Sequence, residues 1–231
     1  MRTLIVTGTG TDVGKTVVVA AVAALARAAG ERVTVVKPAQ TGVAPGEDGD
    51  LAAVERLAGP VATLELARFP EPLAPATAAR RADAMPVMAA QVVDAVRGLD
   101  TDLVIVEGAG GLLVRLNDLG ETLADVAAAL AAPVVLVASA GLGVLNTAAL
   151  TAEALERRDV PLAGTVVGAF PEQPDLAERT NLDDLPIVTG APLLGILPAG
   201  LGTAGPERVL EAARCGLGPL LGGRWSPDRC A

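Results

Sequence analysis

Along this chain, apolar residues gather into short unbroken runs, and between the runs they recur at helical spacing. The runs at 4–6, 32–37, 103–106, 133–138, 162–167 and 193–197 are rich in Val, Ile and Leu. Runs without polar alternation predict strands covered on both faces. The stretches 16–29, 50–57, 88–97, 122–130 and 145–157 predict helices, the first closed by Gly30. Residues 61–69 read as an edge strand. Pro70, Pro72 and Pro75 keep 70–75 out of any helix interior and make it a structured loop. The acidic segment 171–184 has weak periodicity and reads as loop or short helix. The chain past Gly222 reads as a frayed tail. Alternating strands and helices predict an α/β fold, a parallel sheet with helices on both faces. One domain is expected over 1–222, with a C-terminal tail at 223–231.

Composition narrows the chemistry. Apolar residues make up 51% of the 231 positions and aromatics only 1%, so the core must be aliphatic. The formal charge of −9 argues against nucleic acid or an anionic membrane as partner, since both need a basic face. No leader and no membrane-spanning run is expected, so the cytoplasm is the expected compartment. Cys215 and Cys230 lack metal-ligand spacing and read as free thiols in a reducing compartment. The chain has no histidine, which excludes an imidazole base, a Ser-His-Asp triad and a His-ligated metal. Of eighteen basic residues sixteen are Arg, and only Lys15 and Lys37 are Lys. Both sit at the ends of predicted strands, where open α/β sheets hold their ligands, and a compact ammonium does there what a guanidinium cannot.

The first strand runs into Gly8-Thr9-Gly10-Thr11-Asp12-Val13-Gly14-Lys15-Thr16, and a helix follows at once. Strand, small-residue loop and helix are the context of a phosphate-binding loop, whose backbone N–H groups and helix dipole face phosphate oxygens. The expected architecture is therefore a P-loop NTPase-like, Rossmann-type sheet. The strict pattern asks for Gly where this chain has Thr9, so the loop is a variant. Lys15 would reach the β- and γ-phosphates, and the Thr16 hydroxyl would ligate Mg²⁺. Glu107 follows four apolar residues and reads either as a ligand of nucleotide-bound Mg²⁺ or as a solvated acid at a strand end. Asp50 reads as a second ligand or as a helix cap, with Asp48 replacing it should the register slip. Thr16, Asp50 and Glu107 would give Mg²⁺ the few oxygens it takes from protein.

Several blocks together resemble one family. They are the loop at 8–16, Lys37-Pro38-Ala39-Gln40-Thr41-Gly42, Pro72-Leu73-Ala74-Pro75, Glu107-Gly108-Ala109-Gly110-Gly111 and Gly141-Leu142-Gly143-Val144-Leu145-Asn146-Thr147. In that order, from Met1 to about Pro198, they are similar to the dethiobiotin synthetases. The resemblance implies a homodimeric, Mg²⁺-dependent, cytoplasmic ligase of biotin synthesis. Its substrates are ATP, CO₂ and 7,8-diaminopelargonic acid (7,8-diaminononanoate), and its products are dethiobiotin, ADP and phosphate. Lys15, Lys37 and Thr11 would act in catalysis, and Thr11 and Thr41 would hydrogen-bond a substrate carbamate. The nucleotide would meet Asp12, Val13, Gly14, Lys15, Thr16, Val17, Asp50, Glu107, Gly108, Ala109 and Gly110. Gly168, Ala169, Leu197, Pro198 and Ala199 would lie near the base. The substrate's carboxylate would sit on Gly143, Val144, Leu145 and Asn146 of the other subunit, a helix N-terminus that Asn146 could equally cap.

Two departures from the family pattern bear on function. Ala76-Thr77 stand where the family carries a His, and Gly168 stands where it commonly has an Asn that reads adenine. Other nucleoside triphosphates are therefore expected to serve beside ATP. Two other readings compete. A P-loop ligase that amidates cobyrinic acid usually adds a glutaminase domain with Cys and His, for which the residues are lacking. A partitioning-type ATPase switch would want a second lysine in its P-loop, where this chain has Gly10.

Overall fold

The computed structural model describes residues 1–226. Seven parallel strands form the main sheet: β1 (Arg2–Gly8), β2 (Val33–Lys37), β4 (Ala62–Glu65), β6 (Leu103–Gly111), β7 (Val134–Ala138), β8 (Leu162–Phe170) and β9 (Leu193–Pro198), in the order β4-β2-β6-β1-β7-β8-β9. β3 (Gln40–Thr41) and β5 (Arg68–Phe69) pair separately. The helices are α1 (Lys15–Ala28), α2 (Asp50–Ala58), α3 (Pro75–Arg81), α4 (Ala89–Arg97), α5 (Leu123–Leu130), α6 (Val144–Glu156), α7 (Leu176–Thr189) and α8 (Pro206–Gly216).

Both faces are covered, as the unbroken apolar runs require. On one face Val6, Val35, Ile105, Val135 and Val166 pack with α1, α2 and α8. On the other, Ile5, Val36, Val104 and Val106 pack with α4 and α5, and Leu136 and Val167 with α6 and α7. The packing is aliphatic and dense. Ile105 is fully buried, and its truncation to Ala would cost about 2–5 kcal/mol. At the N-terminal end of the strands a cavity of about 1020 Å³ opens beside Leu4, Leu25, Leu103, Leu130 and Leu221, with Arg2, Glu31, Arg97 and Asp102 also in its wall. Near that end Arg32 pairs with Asp100 and Asp102 at the surface.

Several sequence expectations are corrected. The stretch 61–69 is two short strands in different sheets, because β5 turns away to pair with β3 beneath the cleft. Pro75 opens α3 at its first turn, where a missing N–H costs nothing, so Ala76 and Thr77 are helical. The acidic segment becomes the fourteen-residue α7, started by reciprocal hydrogen bonds between Asp175 and Glu178. Periodicity misses it because the helix buries only Asn181 and Leu185. The chain does not fray at Gly222: Trp225 is buried, and its N–H donates to Leu217 O at 2.9 Å. The Cys215 thiol is free and exposed, whereas Cys230 and the rest of the tail from 227 lie outside the described residues.

Candidate active site

Strand register builds the centre of the cleft. Val36 of β2 pairs with Val106 of β6, so Lys37 and Glu107 come next, side by side. Alternation then turns both side chains to the face that carries Val35, Ile105 and α1. Both charges end up buried, Glu107 at 0% exposure and Lys37 at 2%. Lys37 Nζ donates to Glu107 Oε1 at 3.0 Å and to Gly108 O at 3.3 Å, and lies 2.5 Å from Asp50 Oδ2. Burial pulls the ammonium's pKa down, but the Glu107 and Asp50 carboxylates more than offset it and leave Lys37 raised. Thr16 Oγ1 donates to the same Glu107 oxygen at 2.8 Å. The other oxygen, Glu107 Oε2, is buried without a partner.

The loop ahead of α1 turns back over this cluster. Gly14, in the left-handed region at φ 94, is the residue before the helix. A side chain there would strike Gly168 O at 2.7 Å. Asp12 is also left-handed, at φ 59, which Asp tolerates better than most residues. Lys15 Nζ donates to Gly10 O at 2.7 Å, arching across the loop. Its pKa is lowered, first by burial and then by Lys37, with the nearby carboxylates acting the other way. Two ammonium groups thus face one cavity of about 800 Å³.

That cavity gathers Thr11, Asp12, Gly14, Lys15, Thr16, Val17, Lys37, Thr41, Asp50, Glu107, Ala109 and Gly110. Asp50 is not a helix cap: Gly49 is the capping position, and the Asp50 carboxylate turns to Lys37 instead. Glu107 is neither solvated nor at a strand end, because β6 runs on to Gly111. Asp48 is exposed and outside the cavity.

Other expected residues lie elsewhere. Val13 and Gly108 back the loop and the strand. Gly168, within β8, presses on the P-loop: a Cβ there would lie 2.3 Å from Val13 O. No Asn side chain fits at this position without moving the loop, so the glycine is first a packing requirement. Leu197 is fully buried in the aliphatic core. Pro198 and Ala199 lie beside Ala169 and Phe170, with Ala199 N donating to Phe170 O at 2.8 Å. Gly143, Val144, Leu145 and Asn146 start α6 away from the cavity of their own chain. Asn146 is the third helical residue and not its cap, which is Gly143.

One residue that the sequence left without a role links the two halves of the cleft. Gln40 is buried; its Oε1 accepts from Asp50 N at 2.8 Å and its Nε2 donates to Thr41 O at 3.1 Å. Its place next to Thr41 in the block after Lys37 was the available signal.

The donor set fits a divalent cation. Glu107 Oε2 is buried and unpartnered, and Thr16 and Asp50 supply hard oxygens beside it. Lys37 stands between the two carboxylates as the cation they share.

Comparison with known proteins identifies the family and the fold. A family model described as an AAA domain matches residues 2–206. Solved structures share the fold: MinD from the Aquifex aeolicus MinC:MinD complex has a TM-score of 0.61 at 12% identity, covering 98% of each chain. The septum site-determining protein MinD of Pyrococcus horikoshii, complexed with Mg-ADP, has a TM-score of 0.59 at 16% identity, over 91% of this chain and 86% of that one. The ATP-dependent dethiobiotin synthetase BioD of Saccharopolyspora erythraea is 67% identical over 98% of this chain and 100% of its own. That of Streptomyces avermitilis is 60% identical over 100% and 98%. With relatives this similar along its whole length, the chain belongs to the dethiobiotin synthetase family.

Proposed function

We propose that the protein is an ATP-dependent cycloligase that makes dethiobiotin from 7,8-diaminopelargonic acid and CO₂. The observation that carries the reading is the buried group of Lys37, Glu107, Asp50 and Thr16 at the mouth of a phosphate-binding loop, in a chain of this family. A substrate amine adds to CO₂ with loss of a proton, giving a carbamate. A carbamate oxygen attacks the γ-phosphorus of ATP and ADP leaves, giving a carbamic–phosphoric anhydride. The neighbouring amine attacks the carbonyl carbon and phosphate leaves, closing the cyclic urea.

The chain's part is to bind, orient and neutralise. The P-loop amides and Lys15 take the triphosphate. Thr16, Asp50 and Glu107 would hold Mg²⁺, which offsets charge on the phosphates when bound. Lys37, released from its carboxylates, meets the carbamate and the transferring phosphoryl group, where negative charge builds. Thr11 and Thr41 donate to the carbamate. Two amines held beside a phosphoryl group need proximity more than a histidine base.

The protein works as a cytoplasmic homodimer in this reading. The 143–146 loop does not line its own chain's cavity, and Leu142 beside it is 90% exposed, so the loop is free to complete a partner's site. There the helix N-terminus meets the substrate carboxylate. Among the described residues no helix is long and apolar enough to cross a membrane. Incubation of purified protein with diaminopelargonate, ¹³C-bicarbonate, Mg²⁺ and ATP should yield dethiobiotin one mass unit heavier, with ADP in equal amount. ADP without dethiobiotin would reject the assignment.

A further inference from the structure

Asn181 lies on α7 and turns its side chain inward, toward the loop joining β7 to α6. The residue is 5% exposed. Its Nδ2 donates to Ala140 O at 2.7 Å and to Gly141 O at 3.1 Å, committing both amide protons to successive carbonyls of that loop. Ala140 and Val144 are buried at its two ends, but packing does little to hold the turn between them. Side chains added at Gly141 or Gly143 would meet nothing within 4 Å, and Leu142 stands 90% exposed. Two side chains hydrogen-bond to its backbone: Thr9 Oγ1 accepts from Ser139 N at 3.3 Å, and Asn181 takes the two carbonyls.

Beyond the clamp, Gly143 turns left-handed and α6 begins. Val144 N and Thr147 N find acceptors on Gly141 and Gly143. Leu145 and Asn146, second and third in the helix, have no helical carbonyl one turn behind them. No acidic residue stands in that first turn to repel an anion. The direction of these free N–H groups depends on the Ala140 and Gly141 peptides that Asn181 holds.

We infer that Asn181 is a positioning residue for the substrate carboxylate: its clamp on Ala140 and Gly141 orients the first turn of α6 for the anion. This rests on the reading that the 143–146 loop receives that carboxylate. The signature of the role is selectivity, since a damaged clamp should weaken the substrate's acidic end and leave the chemistry of its two amines alone.

The test compares diaminopelargonate with 2,3-diaminooctane, the same diamine without the carboxylate. Asn181→Leu keeps the branching at Cγ, though with greater bulk, and removes both donors. It should raise KM for diaminopelargonate by roughly tenfold, the loss expected when one or two neutral hydrogen bonds stop ordering a binding loop. kcat, KM for ATP and turnover of 2,3-diaminooctane should stay as in the wild type. Asn181→Ser, smaller and unable to span both carbonyls, should shift KM in the same direction and serves if the Leu variant folds poorly. An unchanged KM for diaminopelargonate, or an equal loss on both diamines, overturns the inference. If the wild type already binds both diamines alike, the carboxylate reading falls, and the role of Asn181 falls with it.

Discussion

Near the N-terminal end of the sheet, Arg32 meets Asp100 and Asp102 with 58% of its side chain exposed; at the C-terminal end, Lys37 meets Asp50 and Glu107 with 3% exposed. The same strands run between them. The exposed set is a solvated ion network of the kind that contributes little, because water competes for every charge. The buried set has surrendered its water, and one Glu107 oxygen has found no replacement. Desolvated charge with a donor missing is poor design for stability alone and good design for receiving another charged species. Size points the other way: the larger cavity, about 1020 Å³, lies at the N-terminal end and is walled mainly by aliphatic side chains. Charge burial, not volume, marks the working end.

The largest effect should follow from breaking the buried set. Lys37→Gln should lower kcat by about 10²–10³, the usual loss when one group that stabilises developing charge is removed. Nucleotide should still bind through the P-loop and Lys15. The variant also leaves Asp50 and Glu107 facing each other without their cation, so Mg²⁺ should raise its Tm more than that of the wild type. Turnover like the wild type, with no such Mg²⁺ dependence, would remove Lys37 from the cluster's function.

If each site borrows the partner's 143–146 loop, two crippled subunits should complement. Lys37→Gln mixed with Gly143→Asp, each inactive alone, should recover roughly a quarter of wild-type activity through hybrid dimers with one intact site. No recovery after subunit exchange, or a fully active monomer in sedimentation, contradicts the shared site.

Gly168 gives the next effect. Asn at this position should displace Val13 and weaken all four nucleoside triphosphates together, because its side chain collides with the loop that holds phosphate. In the unaltered protein CTP, GTP and UTP should support turnover within about tenfold of ATP, the scale of one or two neutral hydrogen bonds to a base. A sharp ATP preference in the unaltered protein would show that some residue other than Gly168 reads the base, whereas a Gly168→Asn variant that gains one would show that this position can.

The smallest effect belongs to the exposed end. Hydrogen bonds from the Arg32 side chain and backbone hold the Asp102 carboxylate below its ordinary range. A depressed carboxylate pKa contributes stability above the unfolded value of 3.8, and that contribution fades as pH falls through the folded value. Asp102→Asn should therefore leave kcat unchanged. Its small Tm deficit should be constant from pH 7 to about pH 5 and close only under acid. A large loss of activity would mean that the two ends are coupled.

The main sheet's strands and most helices are legible because their apolar runs and stripes are simple. α7 is hidden because its buried face amounts to Asn181 and Leu185, and its start is written in the Asp175–Glu178 cap instead of in periodicity. Lys37 and Glu107 stand out as charges closing apolar runs, yet their partnership needs the register of β2 on β6, which no local pattern encodes. The packing role of Gly168 is hidden because a sequence pattern reports which side chain is absent, not what the missing side chain would strike. Asn181 is invisible for a related reason: its targets are backbone carbonyls forty residues away.

The most direct test is a crystal structure with Mg²⁺, a non-hydrolysable ATP analogue and diaminopelargonate. The account predicts the triphosphate on the 8–16 loop, the cation on Thr16, Asp50 and Glu107, and Lys37 swung off its carboxylates toward the γ-phosphate and the diamine. Nucleotide in the cavity at the N-terminal end, or Lys37 still lodged between Asp50 and Glu107 with the cation bound elsewhere, would contradict it.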